Sequence, residues 1–254
     1  MISKNQVKLI SSLHQKKFRK EHGLFIAEGE KVCRDLVESG WTVRSVFMTE
    51  EFRSEKFSKW PKKVNSEVVT EKELEKISAL TTPQQILVVG EVPNLKFTPE
   101  YLPGNLTLML DEIKDPGNLG TIIRIADWFG IGTVICSETC ADVFNPKTVQ
   151  ATMGSLFRVK VFYQPLKQIL EQTNEKNIPV YGTLLSGENI YNTKLSTEGI
   201  ILIGSESHGI NESLIPFITT QISIPSFSGS ATKKADSLNA AMAAAIICSE
   251  FRRR

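Results

Sequence analysis

The segment DEIKDPGNLGTIIRIADWFG, residues 111–130, carries polar groups where an α/β fold places ligands. An apolar strand ends at Asp111, a loop with Pro116 and Gly117 follows, and a helix begins near Asn118. Loops at the carboxyl ends of parallel strands are common ligand sites, and a helix N-terminus offers backbone N–H groups to an anion. Asn118 and Arg124 are therefore candidates for contacts with an anionic substrate.

A second segment, ILIGSESHGI at residues 201–210, runs from an apolar strand directly into Gly204 and Glu206. Gly204 and Gly209 allow the backbone to approach a ligand closely. Taken alone, the pattern indicates only a strand followed by a turn, and a single glutamate there is more often a surface carboxylate than a functional one.

A third segment, ISIPSFSGSATKKADSLNAAMAAAI at residues 222–246, ends a strand at Ile224-Pro225 and continues as a polar loop. Ser237 is the predicted N-cap of a last helix over 238–251. Asn239 is a polar residue at the mouth of that otherwise apolar helix, so it needs a hydrogen-bond partner if it is buried.

The second half of the chain has the pattern of a parallel sheet covered by helices on both faces. Its short apolar strands alternate with helices, which is typical of that architecture. The helix over 118–129 has one apolar face, whereas the last helix is apolar on nearly all sides and must be buried within the fold or against a second subunit. The predicted strands are 106–110, 133–136, 180–184, 200–203 and 221–224.

The first half of the chain predicts a small α/β domain of its own. Strands are expected at 24–27, 43–48, 64–69 and 85–91, and helices at 3–21, 30–39 and 71–77. Pro93, Pro99, Pro103 and Gly104 then interrupt any regular element and indicate a linker. The predicted organisation is a domain at 1–92, a linker at 93–105 and a second domain at 106–254.

Charge and cysteine content indicate which partners and which redox compartment to expect. The formal net charge of the 254 residues is only +2, but Lys4, Lys8, Lys16, Lys17, Arg19 and Lys20 crowd the first 22 residues. A basic segment on a near-neutral body fits a local phosphate contact, or simply a solvated helix face. The four cysteines are too few and too scattered for a disulfide framework or a zinc site, so reduced thiols in the cytoplasm are expected.

The three segments together, in this order, resemble the SpoU (TrmH) family of SPOUT methyltransferases. The matching residues are Asn118 with Arg124, Gly204 with Glu206, and Ile224-Pro225 with Ser237-Leu238-Asn239. The first half is similar to the L30e-like RNA substrate-binding domain often found ahead of it, through SKNQVKLISSLHQKKFRKEHGLFIAEGEKV at residues 3–32 and ALTTPQQILVV at residues 79–89.

The resemblance implies an α/β fold with a deep trefoil knot in the second half, and a homodimer formed through that C-terminal domain. It implies transfer of a methyl group from S-adenosylmethionine to a ribose 2′-hydroxyl of RNA, with ribosomal RNA favoured over transfer RNA and no metal required. The residues that match donor-binding positions are Thr183, Leu184, Gly204, Ile224 and Leu238.

The catalytic set implied by the resemblance is Asn118, Arg124, Glu206, Ser237 and Asn239. A guanidinium is a poor general base, so we expect Arg124 to hold an RNA phosphate or ribose and to favour the developing alkoxide. Asn118 and Asn239 would orient Arg124 or the ribose, Glu206 would bind Arg124, and Ser237 would support the substrate. Lys16, Lys17, Arg19 and Lys20 are the predicted RNA contacts of the first domain.

Two departures from the family pattern stand out. The second motif reads G-S-E-S-H-G where G-N-E-G-x-G is common, so Ser205 and Ser207 alter the loop near the donor, and His208 has no assigned counterpart. The loop 226–236 is also long, and its segment SATKKAD at 230–236 could touch RNA or be solvated.

Two other classes of function compete. One is a catalytically inactive RNA-binding relative, which the presence of all five catalytic positions disfavours. The other is a Rossmann-type nicotinamide enzyme, which the G-N-L-G loop disfavours because it lacks the close-approach glycine of G-x-G-x-x-G. No apolar run of the sequence approaches the length of a membrane span.

Overall fold

The structure is a computed structural model that describes residues 2–60, 64–227 and 237–253. These residues form two compact units. One lies within Met1–Asn94 and Asp142–Arg158, and the other within Leu95–Ala141 and Val159–Arg254. The break after Asn94 falls inside the predicted linker, while 142–158 packs with the first unit, so the domain ranges predicted from the sequence stay a proposal.

Helices and strands alternate along most of the chain. The helices are α1 (Lys4–Ser12), α2 (Lys16–His22), α3 (Glu30–Glu38), α4 (Glu50–Glu55), α5 (Glu71–Ile77), α6 (Pro116–Trp128), α7 (Pro146–Thr152), α8 (Leu166–Glu175) and α9 (Ala240–Arg252). The strands are β1 (Leu24–Glu28), β2 (Val43–Met48), β3 (Ser66–Val68), β4 (Ile86–Glu91), β5 (Leu106–Leu110), β6 (Thr133–Cys136), β7 (Lys160–Tyr163), β8 (Val180–Asn189), β9 (Gly199–Ile203) and β10 (Thr220–Ser223).

The first unit contains a four-stranded sheet in the order β1-β4-β2-β3. β4 pairs antiparallel with β1 and with β2, whereas β3 joins β2 in parallel. Its hydrophobic core packs apolar residues of α1 and α5 against the sheet, with Ile10, Leu74 and Ile77 almost fully buried. The predicted α/β character of this region is confirmed, although the sequence analysis missed α4 and α7.

The single helix predicted over 3–21 is wrong, because the chain breaks into α1 and α2. The carbonyl groups of Leu13 and His14, at the break, accept hydrogen bonds from Arg19 Nη1 at 2.7 and 2.9 Å. Arg19 Nε and Nη2 also donate to Asp142 Oδ2 at 3.1 and 2.6 Å. Arg19 is 3% exposed and its guanidinium is engaged within the protein, so we remove it from the predicted RNA contacts.

Replacing Arg19 with Met should strongly destabilise the protein. The change leaves the Asp142 carboxylate and two backbone carbonyls without their donor, and breaking a buried ion pair typically costs about 3–5 kcal/mol. Urea denaturation followed by circular dichroism would measure the loss. Lys20→Met is the matched control, since Lys20 lies on the exposed side of the same helix. Equal unfolding free energies for the two variants would contradict this view of Arg19.

Aromatic packing explains why residues 142–158 belong to the first unit. The Phe25 and Phe144 rings lie 5.0 Å apart between centroids, and the Trp41 and Phe157 rings 5.3 Å apart. Such pairs add about 0.5–1.5 kcal/mol beyond the area they bury. The sequence shows that these residues are aromatic and suited to a hydrophobic core. It does not show which of the two sheets they pack against.

The second unit contains a six-stranded sheet in the order β10-β8-β9-β5-β6-β7, with every neighbouring pair parallel. The predicted parallel sheet is therefore confirmed. The edge strand β7 and the helix α8 were not predicted. Lys160–Tyr163 is a run of only four residues that begins with a lysine, which gives a weak strand pattern. The trefoil knot stays a prediction, since strand order does not establish threading.

The strand order reverses direction at β5, and this sets the location of ligands. β5 is followed along the chain by β6 on one side, whereas β9 lies on its other side. In open α/β sheets, ligands bind outside the carboxyl ends of the strands at such a switch point. Asp111 and Gly204, which directly follow β5 and β9, mark it here.

Among the described helices, none is both long enough and apolar enough to cross a bilayer.

Candidate active site

Three of the five predicted catalytic residues meet at one oxygen atom. Glu206 Oε1 accepts hydrogen bonds from Asn118 Nδ2 at 2.7 Å, from Asn239 Nδ2 at 2.8 Å and from the Ala240 backbone N–H at 2.9 Å. Asn239 Nδ2 also donates to Asn118 Oδ1 at 3.0 Å. Residues from three separate sequence motifs thus form one network at the switch point of the sheet.

The start of α6 places Asn118. Asp115 is the N-cap and accepts a hydrogen bond from the Asn118 backbone N–H at 2.7 Å, and Pro116 occupies the first turn. The helix therefore begins at Pro116, two residues earlier than predicted. Proline is common at the first position of a helix. Because Asp115 supplies the cap, the Asn118 side chain is available to reach Glu206.

The start of α9 places Asn239 and corrects the predicted cap. Asn239, and not Ser237, is the N-cap, and its Oδ1 accepts from the backbone N–H groups of Ala241 at 3.0 Å and Met242 at 3.3 Å. Its amide group therefore uses the oxygen to begin the helix and the nitrogen to join the network. Ser237 is exposed and does not join the network among the described residues.

The two helices that carry the network are also joined at their far ends. Arg252 of α9 donates from Nε to the Phe129 carbonyl at 2.8 Å and from Nη2 to the Gly130 carbonyl at 3.2 Å. These carbonyls follow the last turn of α6, where they lack partners within the helix. Bonds at both ends fix α6 beside α9, so the network has a rigid base.

Arg124 is not part of the network. Six residues along an α-helix turn the side-chain direction by about 240° and advance it by about 9 Å, so Arg124 and Asn118 point in different directions. Arg124 is exposed and makes no hydrogen bond or ion pair with another described residue. The expected bond between Glu206 and Arg124 is therefore absent from this part of the chain, and the two asparagines bind Glu206 instead.

The second motif forms a closed turn that presents Glu206. The backbones of Ser205 and Gly209 exchange two hydrogen bonds, at 3.0 and 2.9 Å, and Gly209 has a positive φ of 70°. A side-chain carbon at Gly204 would collide with the backbone of Gly209 and Ile210. Glycine is therefore required at 204 for the turn to fold back on the strand.

Ser207 and His208 are exposed on this turn. The Ser207 hydroxyl and His208 Nδ1 lie 2.8 Å apart, and the His208 backbone N–H donates to Ser205 Oγ at 3.2 Å. The two serines that depart from the family pattern therefore hold the turn together. No sequence signal assigned a role to His208, and its contacts here are with the turn itself.

Four of the residues that the resemblance assigns to the methyl donor lie on, or directly after, three adjacent strands. Thr183 and Leu184 lie on β8, Gly204 follows β9 and Ile224 follows β10. β9 pairs with β8 only as far as Gly182, and β10 resumes its pairing at Glu188. The backbone of 183–187 is thus outside both ladders, which fits donor binding through backbone groups.

Leu238 adds an apolar side chain to these positions. It is 48% exposed and directly precedes the N-cap Asn239, so a hydrophobic surface borders the network. Among the described residues, no group of three or more histidine, cysteine or acidic side chains is placed to hold a metal ion. The long loop predicted at 226–236 lies, from residue 228 onward, outside the described residues.

Comparison with known proteins identifies the fold and the family. The model of the SpoU rRNA Methylase family matches residues 105–249, and that of the MRM3-like substrate binding domain matches residues 4–88. The 23S rRNA (guanosine(2553)-2′-O)-methyltransferase RlmP of Bacillus subtilis is 31% identical over 98% of this chain and 97% of its own length.

Two solved structures are similar over the whole chain. A putative TrmH-family RNA methyltransferase from Porphyromonas gingivalis has a TM-score of 0.88 and 37% identity, covering 100% of this chain and 99% of its own. An AdoMet-bound rRNA methyltransferase from Sinorhizobium meliloti has a TM-score of 0.78 and 30% identity, covering 100% and 97%. The chain thus belongs to the SpoU rRNA Methylase family, as its three motifs predicted.

Proposed function

We propose that this protein transfers a methyl group from S-adenosylmethionine to a ribose 2′-hydroxyl of ribosomal RNA. Family membership and the relative of Bacillus subtilis, which matches nearly end to end, support the reaction and the class of RNA. The observation that carries the proposal is the bonding of Asn118 and Asn239 to one oxygen of Glu206.

In this proposal the donor lies beside the middle of β8 and the carboxyl ends of β9 and β10. Thr183, Leu184, Gly204, Ile224 and Leu238 would hold it, mainly through backbone groups. Bound S-adenosylmethionine supplies a methyl group that is already activated by a positively charged sulfur. The task of the protein is then to align the ribose oxygen, and alignment can contribute about 7–11 kcal/mol.

The network orients polar groups around that ribose. Glu206 fixes both asparagine side chains, so the amide dipoles are set before RNA binds, as preorganised electrostatic stabilisation requires. Arg124 holds a phosphate or ribose and favours the alkoxide that develops as the 2′-hydroxyl releases its proton to solvent water. A guanidinium is a poor general base, so Arg124 is not assigned the removal of that proton.

The direct test is transfer of tritiated methyl groups to separated RNA fractions. Ribosomal RNA should become labelled with the wild-type protein, transfer RNA should not, and the label should be lost with Arg124→Ala. Labelling of transfer RNA instead would establish the alternative substrate. No label in any fraction, despite donor binding by calorimetry, would favour the inactive relative.

We also propose that the protein is a homodimer formed through its C-terminal domain. Two large apolar side chains of the neighbouring helices are open to solvent in a single chain, with Trp128 of α6 84% exposed and Met242 of α9 62% exposed. Arg124, on α6 as well, points away from the network of its own chain. A second copy would cover the apolar side chains and supply an arginine to the site.

The first domain contributes RNA contacts in this proposal, through Lys16, Lys17 and Lys20. All three are exposed on α2, the Lys17 ammonium lies 5.6 Å from the centre of the Phe18 ring, and none has an ion-pair partner among the described residues. Their placement suits contacts with phosphate groups, which set affinity and its dependence on salt.

Reversing these three lysines to glutamate should weaken RNA binding and flatten its salt dependence. The magnitude of the slope of log K against log salt falls by about 0.7–0.9 for each phosphate contact that is lost. The triple variant should therefore have a slope smaller in magnitude by about 2–3. Filter binding of ribosomal RNA across a salt series measures both effects. The control variant, which has the same net charge, replaces three other lysines with glutamate: Lys59, Lys72 and Lys76. An unchanged slope in the α2 variant would refute the contact.

The protein is proposed to act in the cytoplasm. Cys33, Cys136, Cys140 and Cys248 are all buried as free thiols, as predicted from their number and spacing. Unpaired thiols are typical of a reducing compartment.

A further inference from the structure

One residue, Asp111, binds both ends of the turn that presents Glu206. Its backbone N–H donates to the Ile203 carbonyl at 2.9 Å, where β9 ends. Its side-chain Oδ2 accepts the Asn211 backbone N–H at 2.9 Å, where the turn is complete. The segment 204–210 therefore leaves Asp111 and returns to it, so the span of the turn is fixed by one residue at the end of β5.

Asp111 is itself firmly placed. It is 5% exposed and directly follows β5, the strand at which the sheet order reverses. Burial raises the pKa of Asp111, and its hydrogen bonds with the Asn211 N–H and the Ser137 hydroxyl oppose that shift. Ser137 Oγ also accepts the Glu112 N–H at 2.9 Å, which holds the hydroxyl in place. An unpaired buried N–H is costly, so the bond between Asn211 and Asp111 resists opening.

The orientation of the turn on the sheet depends on contacts outside the turn. Internally the turn is closed by its two backbone hydrogen bonds, so it moves as one body. Ile210 is 4% exposed and packs in the hydrophobic core of the second unit, but hydrophobic contact has no preferred direction. The bond from Asn211 to Asp111 is directional. Release of that bond would therefore let the turn tilt, and Glu206 would move with it.

We propose that Asp111 is a positioning residue of the methyl-transfer site and that it acts through Glu206. By holding both ends of the turn, Asp111 sets where the Glu206 carboxylate meets Asn118 and Asn239. The inference rests on the proposed function, because the position of this network matters to the rate only if the network aligns the ribose. Misplacement of an aligning group by about 1 Å can lower a rate by about 100-fold.

Methyl transfer to ribosomal RNA by Asp111→Ala is the first test, and kcat should fall by about 10- to 100-fold. Donor binding should be nearly spared, because the backbone bond from residue 111 to Ile203, beside Gly204, persists in every side-chain variant. The dissociation constant of S-adenosylmethionine, measured by calorimetry, should change by less than about threefold. A kcat within about twofold of wild type, or a loss of donor affinity as large as the loss of kcat, would overturn the proposal.

Two further variants separate positioning from general damage to the sheet. Asp111→Asn keeps an oxygen that can accept the Asn211 N–H, so it should retain at least about a third of kcat. Glu198→Ala is the matched control, because Glu198 Oε2 accepts the Gly104 N–H at 2.7 Å near the opposite ends of β5 and β9. The control should keep kcat within about twofold of wild type. Equal losses in Glu198→Ala and Asp111→Ala would refute a role specific to the turn.

A second pair of variants removes the donor of the same bond, so the test does not depend on the folding of Asp111→Ala. The φ of Asn211 is −56°, which is within the range that proline imposes, and Asn211→Pro deletes the N–H. Asn211→Ala keeps the N–H and loses only the side chain, which accepts from the Ser213 N–H. The kcat of Asn211→Pro should be at least about tenfold below that of Asn211→Ala. Equal kcat values for the two would contradict the proposal.

Histidine NMR reports on the turn in the absence of RNA. His208 lies on the turn, with Nδ1 2.8 Å from Ser207 Oγ, whereas His14 and His22 belong to the first unit and serve as references. The His208 imidazole signal should shift and broaden in Asp111→Ala and should stay as in wild type in Asp111→Asn. An unchanged signal in Asp111→Ala would show that the turn does not need the carboxylate.

Failure of this inference is distinguishable from failure of the proposed function. If the wild type methylates ribosomal RNA and kcat is insensitive to Asp111→Ala, only the positioning role is wrong. If the wild type methylates no RNA fraction, the proposed function fails, whereas the His208 signal still decides whether Asp111 holds the turn.

Discussion

Replacing Asn239 with Asp is expected to lower kcat/KM for RNA methylation by about 100-fold or more while leaving the helix intact. Aspartate is as good an N-cap as asparagine, so the bonds to the Ala241 and Met242 backbones should persist. The variant loses the Nδ2 donor to Glu206 and places a second carboxylate beside it. Steady-state methyl transfer to ribosomal RNA, with thermal unfolding alongside, measures the two effects separately.

The pH dependence of this variant offers an internal check. Two adjacent carboxylates raise the pKa of one of them, and protonation of that group restores a donor and removes the repulsion. Activity of Asn239→Asp relative to wild type should therefore rise as the pH falls. Asn239→Ser, which retains the cap and adds no charge, should show a loss without this recovery. Full activity in Asn239→Asp would mean that the network does not support the reaction.

Mixing two inactive variants should restore activity if Arg124 serves the site of the other copy. Arg124→Ala and Asn239→Asp are each expected to be nearly inactive alone. In a mixed dimer, one site carries both defects and the other carries neither. With random pairing, half of the dimers are mixed, so about a quarter of the wild-type sites should recover.

Either outcome of the mixing experiment is informative about the geometry. Light scattering on the wild type should first give a mass near twice that of the 28.3 kDa chain. If the mixture of co-refolded variants stays inactive although the dimer forms, Arg124 acts within its own chain and must turn toward Glu206 when RNA binds. A monomeric mass would refute the dimer itself. Trp128→Glu should lower the dimer fraction, since it charges an exposed apolar side chain of α6.

Some of the local elements of the catalytic half could be predicted from the sequence, although β7, α8 and the N-cap of α9 could not. β5 and β6 occupy the predicted residues, because a short apolar run flanked by turn residues suits a strand buried on both faces. The three motifs together resembled those of the SpoU (TrmH) family, and the family model that matches residues 105–249 confirmed this resemblance. Glycine at 204 was predicted to let the backbone approach a ligand closely, whereas the structure shows that it makes room for the backbone of Gly209 and Ile210.

Only the tertiary structure decided which polar groups meet. Glu206 binds Asn118 and Asn239, which are 88 and 33 residues away along the chain, and not Arg124. Arg19 looks like its basic neighbours in the sequence, yet it is buried against Asp142, 123 residues away. Periodicity reports which face of an element is buried, but a long-range hydrogen bond depends on how elements dock. That docking is set by the packing of the whole unit, and no local spacing encodes it.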